Sequence, residues 1–584
     1  MYKKKLPFNA INDDDFKQFC EALGRYGPDW KQPSQYMIRE KMLVQEVERT
    51  RDLLKPHEVE RADTGCSVMT DAWTDKKKRS IMNLCVHCKL GTVYLGSKEV
   101  SADAHTSLYI FNYVDECIEK IGAKNVVQVV MDNASNNMGE KVMLKDKRPK
   151  LFWTSCATHT INLMVEAVAK LKHFGSTITK AKEMTTFLYA HHTTLVLMRS
   201  YTKKRDIVRP GVTRFASAFL TLQSLDAKRK QLKEMCCSDT WEGCKHTRTK
   251  KGQVAHAAIM SRAFWKNVSL CIKVFEPLVK ILRLADGDGQ SMASMYGEII
   301  EAKKAILVAV DNSDKDYKAI TTAMESKMNG RLDTPLHIAA YALNPYYSYA
   351  TTSMFTNVEV MSDLMEVIEQ FYLDDDEKQN KVLNIDLPKF KKKERMFGKV
   401  VATKAISNAN FNAGEWWATY GLQTPTLMHI ALRILNLTTS SSGCERNWCV
   451  FEQVDAKRRN KLDVHHRDDL VYIQFNGRMI DKRKEYSSSC DVLLGEDAFM
   501  AQDWICEGAY VDAMEEVDAM GASEFVELHR SSRVRELHEV EEFVSDGEES
   551  DHGLVNEDDI EFKSDDDGVI QGANEDEEGD PMEP

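Results

Sequence analysis

Five short segments in the first third of the chain are rich in apolar, β-branched and aromatic residues. They span residues 66–71, 79–88, 91–97, 125–131 and 151–156. Polar or turn-forming residues separate them, which is the pattern of strands in a sheet. The fourth segment is almost wholly apolar, as expected of a central strand that is buried on both faces. The pattern predicts a mixed α/β unit that begins with three antiparallel strands.

Apolar residues at helical spacing predict helices in most of the remaining sequence. They recur through residues 1–60, within 108–121, after the fifth strand, and almost throughout 187–397. The longest stripe runs from Phe264 to Leu282 and is typical of an amphipathic helix. A further helix face near the C-terminal end consists of Leu427, Ile430, Ala431, Ile434 and Leu435.

These patterns divide the chain into five predicted regions. They are a helical lead-in at 1–60, an α/β core at 61–185, an all-helical domain at 186–400, a helical C-terminal block at 411–478 and an acidic tail at 485–584. The tail combines low hydrophobicity with high like charge, so its burial cannot offset the entropy of ordering it. We therefore expect the tail to be largely disordered.

Charge is unevenly distributed along the 584 residues, whose formal net charge is −12. Residues 541–584 hold 19 acidic residues and one lysine, a local charge of −18, which leaves +6 on the first 540. A mildly basic body is compatible with nucleic-acid binding. The sequence has no apolar run of about 18 residues and no secretory signal, so no membrane partner is expected. The 14 scattered cysteines suggest reduced thiols in the cytosol or nucleus.

Two aspartates stand at the ends of predicted strands. Asp71 ends the first strand and Asp132 follows the buried one, and a polar turn comes after each. Ligand sites of α/β proteins collect at the carboxyl ends of strands, and two carboxylates there could share a hard cation such as Mg²⁺. Aspartate is also a common turn former. The pattern alone leaves both roles open.

Four sequence blocks resemble those of hAT (hobo–Activator–Tam) superfamily transposases, in the same order along the chain. They are TDAWTD at 70–75, MDNASN at 131–136, C-A-T-H at 156–159 and SSGCER at 441–446. The similarity covers about residues 7–476, and the plant branch with a domain of unknown function at its front is the most similar. The resemblance implies a ribonuclease-H-like core that a long helical insertion interrupts and the C-terminal block completes.

The resemblance also implies site residues and partners. Asp71, Asp132 and Glu445 match the three acidic residues that bind Mg²⁺ or Mn²⁺ and cut DNA. The C-terminal region is expected to form a homodimer, and we predict an interface that includes Trp448, Leu470, Tyr472 and Phe475. Cys156 and His159 are expected to belong to the architecture of the site. A nuclear location follows from DNA as the partner.

Two of these motifs have alternative explanations. Ser442 and Glu445 have the spacing of a capping box, in which Ser442 would be the N-cap of a helix. This is partly compatible with a metal-site role, because a helix N-terminus favours an ionised carboxylate. Cys156 and His159 look like half of a zinc site, but no second pair is evident nearby. Asp286-Gly287-Asp288-Gly289 resembles the start of a calcium loop without its final Glu, and we predict a solvated turn.

Two departures from the family pattern concern DNA binding. Arg214 and Phe215 occupy the place of a Thr-Arg-Trp block, where Phe offers a smaller stacking face than Trp. No zinc-finger array of the BED type precedes Asp71. The most promising basic cluster for phosphate contacts is Lys457, Arg458, Arg459 and Lys461.

The sequence therefore predicts a hAT transposase-like protein that associates with DNA and dimerises, and it leaves open whether metal-dependent DNA strand cleavage is retained. Two alternatives remain at this stage. One is a domesticated, inactive DNA-binding or transcription-regulating protein, and the other is a pure dimerisation module.

Overall fold

The computed structural model describes residues 11, 12, 14–74, 78–100, 106–209, 215–351, 353–408, 410–454 and 462–485. Within these ranges, the side chains at 135, 136, 215, 216, 449, 452 and 482–485 are not described. The acidic tail therefore lies outside the described residues.

One five-stranded mixed sheet lies in the first third of the chain. Its strands are β1 (Cys66–Thr74), β2 (Ser80–Cys88), β3 (Gly91–Glu99), β4 (Val126–Met131) and β5 (Phe152–Ser155). Their spatial order is β3-β2-β1-β4-β5. The β1–β2 and β2–β3 pairs are antiparallel, whereas β4 is parallel to both β1 and β5. All five predicted strands are confirmed, and so is the antiparallel start.

Helices cover both faces of this sheet. The helices are α2 (Leu43–Thr64), α3 (Ser107–Ile121), α4 (Ser135–Lys147), α23 (Ser442–Val454) and α24 (Val464–Glu485), whereas α1 (Asp14–Tyr26) has no buried residue. Residues of α2 and α3 share one apolar core with one face of the sheet. Residues of α23 and α24 share another core with the opposite face. The sheet is thus buried on both sides, which explains the continuous apolar run of β4.

A glycine makes the close approach between α2 and β1 possible. Gly65 has a φ of +78°, and a Cβ there would lie 2.6 Å from Val127 Cγ2 and 3.2 Å from Arg433 Cζ. Any larger residue would clash with β4 in a conformation that L-residues rarely adopt. Gly65 therefore fixes where the first strand enters the sheet.

The middle of the chain is helical and has its own core. This bundle comprises α5 (Ala157–Ala169), α6 (Lys172–Ala190), α7 (His192–Tyr201), α8 (Phe215–Ala227), α9 (Arg229–Cys236), α10 (Asp239–Gly243), α11 (Lys250–Met260), α12 (Arg262–Asp286), α13 (Met295–Ala309) and α14 (Asp314–Met328). Its apolar core runs from Ala157 to Leu332. The amphipathic stripe predicted at 264–282 is confirmed as α12, whose apolar face is buried.

A second helical layer has a separate core at the edge of the sheet. Its helices are α15 (Pro335–Leu343), α16 (Pro345–Ser348), α17 (Val358–Phe371), α18 (Asp376–Lys381), α19 (Leu387–Lys391), α20 (Val400–Ala405), α21 (Ala413–Tyr420) and α22 (Pro425–Leu435). Trp416 and Trp417 lie at its centre, and their indole N–H groups donate to the carbonyls of Ala402 and Leu343. Val127 and Phe152 contribute from the sheet.

The helical part is therefore built around two cores rather than one. The five predicted region boundaries stay predictions, but α15 to α20 share their core with α21 and α22, across the predicted boundary near residue 400. The helix face predicted at 427–435 is confirmed and is fully buried in this core. Within the described ranges, no helix is long and apolar enough to cross a membrane.

Candidate active site

Asp71 lies in β1, and Asp132 directly follows β4, the neighbouring parallel strand. Val68 pairs with Val129 and Met69 with Val130. Asp71 is two residues after Met69, and Asp132 is two residues after Val130, so the two aspartates are side by side at the ends of the paired segments. Neighbouring strands are about 4.8 Å apart. Met69 and Val130 belong to the same apolar core, and side chains two positions apart share a face of the sheet. Both aspartates therefore belong to the face that α23 and α24 cover.

The N-terminal turn of α23 rests on this same face. The Cys444 thiol donates to the carbonyl of Met69 at 3.4 Å, and the Asn83 amide donates to the carbonyl of Cys444 at 3.2 Å. Asn83 is the cross-strand partner of Asp71. Glu445, the next residue after Cys444, is therefore held above β1 and β2 by contacts to both strands.

The pKa values of two buried thiols are affected by nearby carboxylates. Burial raises the pKa of the Cys444 thiol, and the nearby Cys85 thiol and Asp71 carboxylate raise it further. Burial likewise raises the pKa of Cys156, with an additional contribution from the charge of Glu445. Asp71 and Glu445 thus act on cysteines of one apolar core, which indicates that all these groups are close together.

Asp132 is fixed by its own turn. One of its carboxylate oxygens, Oδ1, accepts hydrogen bonds from the Ala134 N–H at 3.0 Å and from the side-chain amide of Asn137. The Ser155 hydroxyl, at the end of β5, donates to Asn133 Oδ1 at 2.6 Å. The turn-forming role considered for Asp132 is thereby confirmed, and it holds the carboxylate at the end of β4.

The Cys156 and His159 pair is divided between core and surface. Cys156 precedes α5 and is buried, and its sulfur accepts the N–H of Ser441 at 3.4 Å. His159 is exposed. Cys156 therefore joins β5 to the segment before Glu445, and His159 contacts the Cys156 thiol through a backbone hydrogen bond while its side chain faces solvent.

The segment between α22 and α23 is buried although its sequence is polar. Residues 438–442 are all at most 3% exposed. Their backbone is anchored by Gln128, whose amide donates to the Thr438 carbonyl, and by the Ala157 N–H, which donates to the Thr439 carbonyl. The helix begins at Ser442, so Ser442 lies in its first turn and not at the predicted N-cap position.

A buried polar cluster beside the site was missed in the sequence. Arg446 forms an ion pair with Asp288 and donates to the Asp286 carbonyl at 3.0 Å. Asp286 is 8% exposed and accepts from the Thr158 hydroxyl at 2.9 Å. The prediction of a solvated turn at 286–289 is therefore wrong. This loop follows α12, and it contacts α5 through Thr158 and α23 through Arg446. The feature of the sequence that could have indicated this cluster is Arg446, the residue directly after Glu445.

His87 belongs to the same cluster. Its Nδ1 lies 3.1 Å from the Thr92 hydroxyl, and burial lowers the pKa of the imidazole to about 4, with Asp288 opposing and Arg446 adding to this effect. The ring is consequently neutral at physiological pH. The neutral ring adds no second positive charge beside Arg446, which pairs with Asp288.

The three acidic residues suit a hard divalent cation by their chemistry, because Mg²⁺ and Mn²⁺ prefer carboxylate oxygens. Across the described ranges, no group of three or more His, Cys, Asp or Glu side chains stands in metal-binding geometry. The backbone brings Asp71, Asp132 and Glu445 to one face, but a cation would have to draw the carboxylates together.

The predicted DNA-contacting residues fall outside the described part of the chain. Arg214, Lys457, Arg458, Arg459 and Lys461 are in ranges that are not described, and of Phe215 only the backbone is, as the first residue of α8. Another basic cluster is internally paired. Lys147 and Arg148 form ion pairs with Asp115 at 2.7 and 2.6 Å, and Arg148 also pairs with Glu119.

The predicted dimer residues contact their own chain. Trp448 stacks on Trp73 with ring centroids 5.8 Å apart, and Phe475 is 3% exposed. Leu470 and Tyr472 are half-buried against the core below α23 and α24. Their role in an interface stays a prediction, and Phe475 in particular is already covered within one chain.

Two family models match the chain, one on each side of the helical bundle. Residues 33–184 match a domain of unknown function (DUF659), and residues 394–476 match the hAT family C-terminal dimerisation region. The first match spans the whole sheet, and the second spans α20 to α23 and the first part of α24. The two matches support a hAT-family transposase-like protein, and the dimerisation region implies self-association. A comparison with curated proteins gives no match.

Proposed function

We propose that this protein acts on DNA as a metal-dependent nuclease or transposase, with Asp71, Asp132 and Glu445 as its active site. The sheet and its flanking helices would then be a ribonuclease-H-like core. The observation that carries the proposal is the parallel pairing of β1 with β4, which aligns the two aspartates on the face where α23 holds Glu445.

The three carboxylates are positioned by different kinds of local structure. Asp71 lies within a strand that is paired on both sides, Asp132 lies in a turn closed by its own side chain, and Glu445 lies in the first turn of a helix. A helix N-terminus stabilises an ionised carboxylate, so Glu445 is favoured in the form that binds a cation. A bound Mg²⁺ or Mn²⁺ would polarise the phosphodiester and activate the attacking water or hydroxyl.

Contacts to DNA are proposed for the residues that the family pattern and charge indicate. Arg214 and Phe215 would contact the strand near the cut, and the cluster from Lys457 to Lys461 would neutralise phosphates. The latter follows α23 in the sequence and begins 12 residues after Glu445. A protein with this substrate is expected to work in the nucleus.

The test is cleavage of a supercoiled plasmid by the full chain in the presence of Mg²⁺ or Mn²⁺. Nicking should require the cation and should fall at least about 100-fold in Asp71→Asn, because a ligand is lost without a change of shape. Asp314→Asn, on the exposed first turn of α14, is the matched control and should nick normally. Cation-dependent nicking that Asp71→Asn leaves unchanged would contradict the proposal.

A second candidate function is favoured by one observation, the match of residues 394–476 to a dimerisation region. In this case the chain would be a self-associating module without cleavage activity. The same assay separates the candidates when DNA binding is measured in parallel. Binding without nicking indicates a DNA-binding or regulatory protein, whereas self-association with neither activity indicates the module alone.

A further inference from the structure

Exposed apolar side chains are concentrated at the N-terminal end of the described chain. Of the 27 large hydrophobic side chains that are exposed among the described residues, 11 lie between residues 11 and 59. We call the following six the N-terminal apolar face: Phe19, Tyr26, Trp30, Tyr36, Met37 and Ile38. Scattered exposed apolar residues are normal, but a cluster of large ones marks an interaction surface.

Helix α1 is amphipathic but has no core of its own. Phe16, Phe19, Leu23 and Tyr26 follow one another at three- or four-residue spacing along one side, yet no residue of α1 is buried. The ring centroids of Phe19 and Trp30 are 6.3 Å apart, so the aromatic cluster continues beyond the helix. A helix of 13 residues is marginal in water without packing of its apolar face. A further surface must therefore cover α1 for it to be stable.

This face adjoins the dimerisation region. Glu40, in the π-helical turn Met37–Met42 that leads into α2, lies 3.3 Å from His466 of α24. The charge environment of Arg49 in α2 includes both Asp15 of α1 and Asp481 of α24. The start of α24 belongs to the matched region 394–476. The segment that carries Met37 and Ile38 is thus adjacent to the region whose family match implies self-association.

We propose that the N-terminal apolar face binds the same face of a second copy of this chain. The inference rests on the self-association that residues 394–476 imply and is independent of DNA cleavage. Val471 and Phe475 of α24 are buried within their own chain and are not available to a partner. Helix α2 packs against α24, and the residues of the N-terminal apolar face come before α2 in the chain.

The charges of α1 suit pairing with itself. Its first turn carries Asp14 and Asp15, and its last turn carries Arg25; within the helix, Asp14 also pairs with Lys17 and Arg25 with Glu21, both as exposed pairs. Two copies related by a twofold axis meet through identical patches. If the two α1 helices pack antiparallel, the acidic end of each lies beside the basic end of the other. Cys20, which is exposed, is the midpoint of Asp14–Tyr26 and would lie at the twofold axis.

The first test is the mass of the full chain in solution by sedimentation velocity over a micromolar dilution series. The wild type should be a dimer, and Phe19→Glu/Met37→Glu should raise its dissociation constant at least about 30-fold, since buried anchors dominate interface energies. Both positions are exposed, so the substitutions leave the core intact. Val308→Glu, 69% exposed on α13, is the matched control and should remain dimeric.

A second test does not depend on substitutions in the face. Mild oxidation of the wild type with copper phenanthroline should produce a disulfide-linked dimer through Cys20, and Cys20→Ser should abolish it, whereas Cys237→Ser should not. A monomeric wild type, an unchanged dissociation constant in Phe19→Glu/Met37→Glu, or crosslinking that survives Cys20→Ser would each overturn the inference. None of these results depends on DNA or metal, so failure here is distinguishable from failure of the proposed activity.

Discussion

At the scale of single residues, the protein buries several groups that could ionise and keeps them neutral. Burial raises the pKa of Glu140 to about 8 and lowers that of His337 to about 4, as it does for His87. Such shifts make stability depend on pH, because the unfolded chain titrates at ordinary values. Glu140 is the most informative of these groups, since its shift falls within an accessible pH range.

Replacing Glu140 with Gln should stabilise the protein as pH rises. Below about pH 4.5 the carboxyl is protonated in both folded and unfolded chains, so the two proteins should have equal stability. Between about pH 4.5 and 8 only the unfolded wild type ionises, and Glu140→Gln gains up to roughly 3–5 kcal/mol. The amide can still accept the hydrogen bond that Trp153 Nε1 donates at 3.0 Å. The measurement is the melting temperature of both proteins from pH 5 to 8.5.

Glu301→Gln serves as the control, because the Glu301 side chain is 55% exposed beside Lys304. Its melting temperature should follow that of the wild type across the whole pH range. A constant difference between Glu140→Gln and wild type at every pH would mean that Glu140 ionises normally in the folded protein.

At the scale of elements, the apolar pattern predicted the strands well and their ends less well. The first strand was expected to end at Asp71 but extends to Thr74, because β2 pairs with it from Ser80 onwards. The neighbours in the sheet could not be predicted from periodicity. Pairing of β1 with β4 joins segments that two strands and a helix separate, and only tertiary packing determines it.

The contact between the end of α12 and α23 likewise could not be predicted from the sequence. Arg446 and Asp286 are 160 residues apart, and the glycines around Asp286 and Asp288 are typical of a turn in solvent. Asp71 and Asp132, in contrast, were recognised by their positions at the ends of predicted strands, and the resemblance to a family added Glu445. Motifs that carry chemistry are recognisable in a sequence, whereas the supports that position them depend on distant partners.

Arg446→Ala should loosen the start of α23. It leaves Asp288, whose side chain is 16% exposed, without its partner; breaking a buried pair in this way costs about 3–5 kcal/mol. We expect faster amide exchange in a peptide covering residues 437–454 and a lower melting temperature. Asp288→Asn combined with Arg446→Ala should cost less than the sum of the single changes, because the two groups are coupled.

The chain offers a matched exposed pair as the control. Arg199 and Asp206 form an ion pair whose side chains are 44% and 35% exposed, so Arg199→Ala should change stability by about 1 kcal/mol or less. Equal effects of the two arginine substitutions, or normal exchange at 437–454 in Arg446→Ala, would show that Arg446 does not hold α23 in place.

At the scale of the whole molecule, one sheet and two helical cores meet at the face of the sheet to which Asp71 and Asp132 belong. The bundle of α5 to α14 reaches it through the loop after α12, and the layer of α15 to α22 reaches it through residues 438–442. The sequence predicted a single inserted helical domain because periodicity reveals faces and not their partners. Both helical parts contact the segment that bears Glu445, so the geometry of the site depends on the folded state of each.

The most direct test of this account is Mn²⁺ binding to the full chain, followed by electron paramagnetic resonance of the free ion. We expect one or two saturable ions per chain, and at least about tenfold weaker binding in each of Asp71→Asn, Asp132→Asn and Glu445→Gln, because the three carboxylates serve one site. Asp314→Asn should bind as the wild type does. Saturable binding that Glu445→Gln leaves unchanged, or no saturable binding at all, would contradict the claim that these three residues form a metal site.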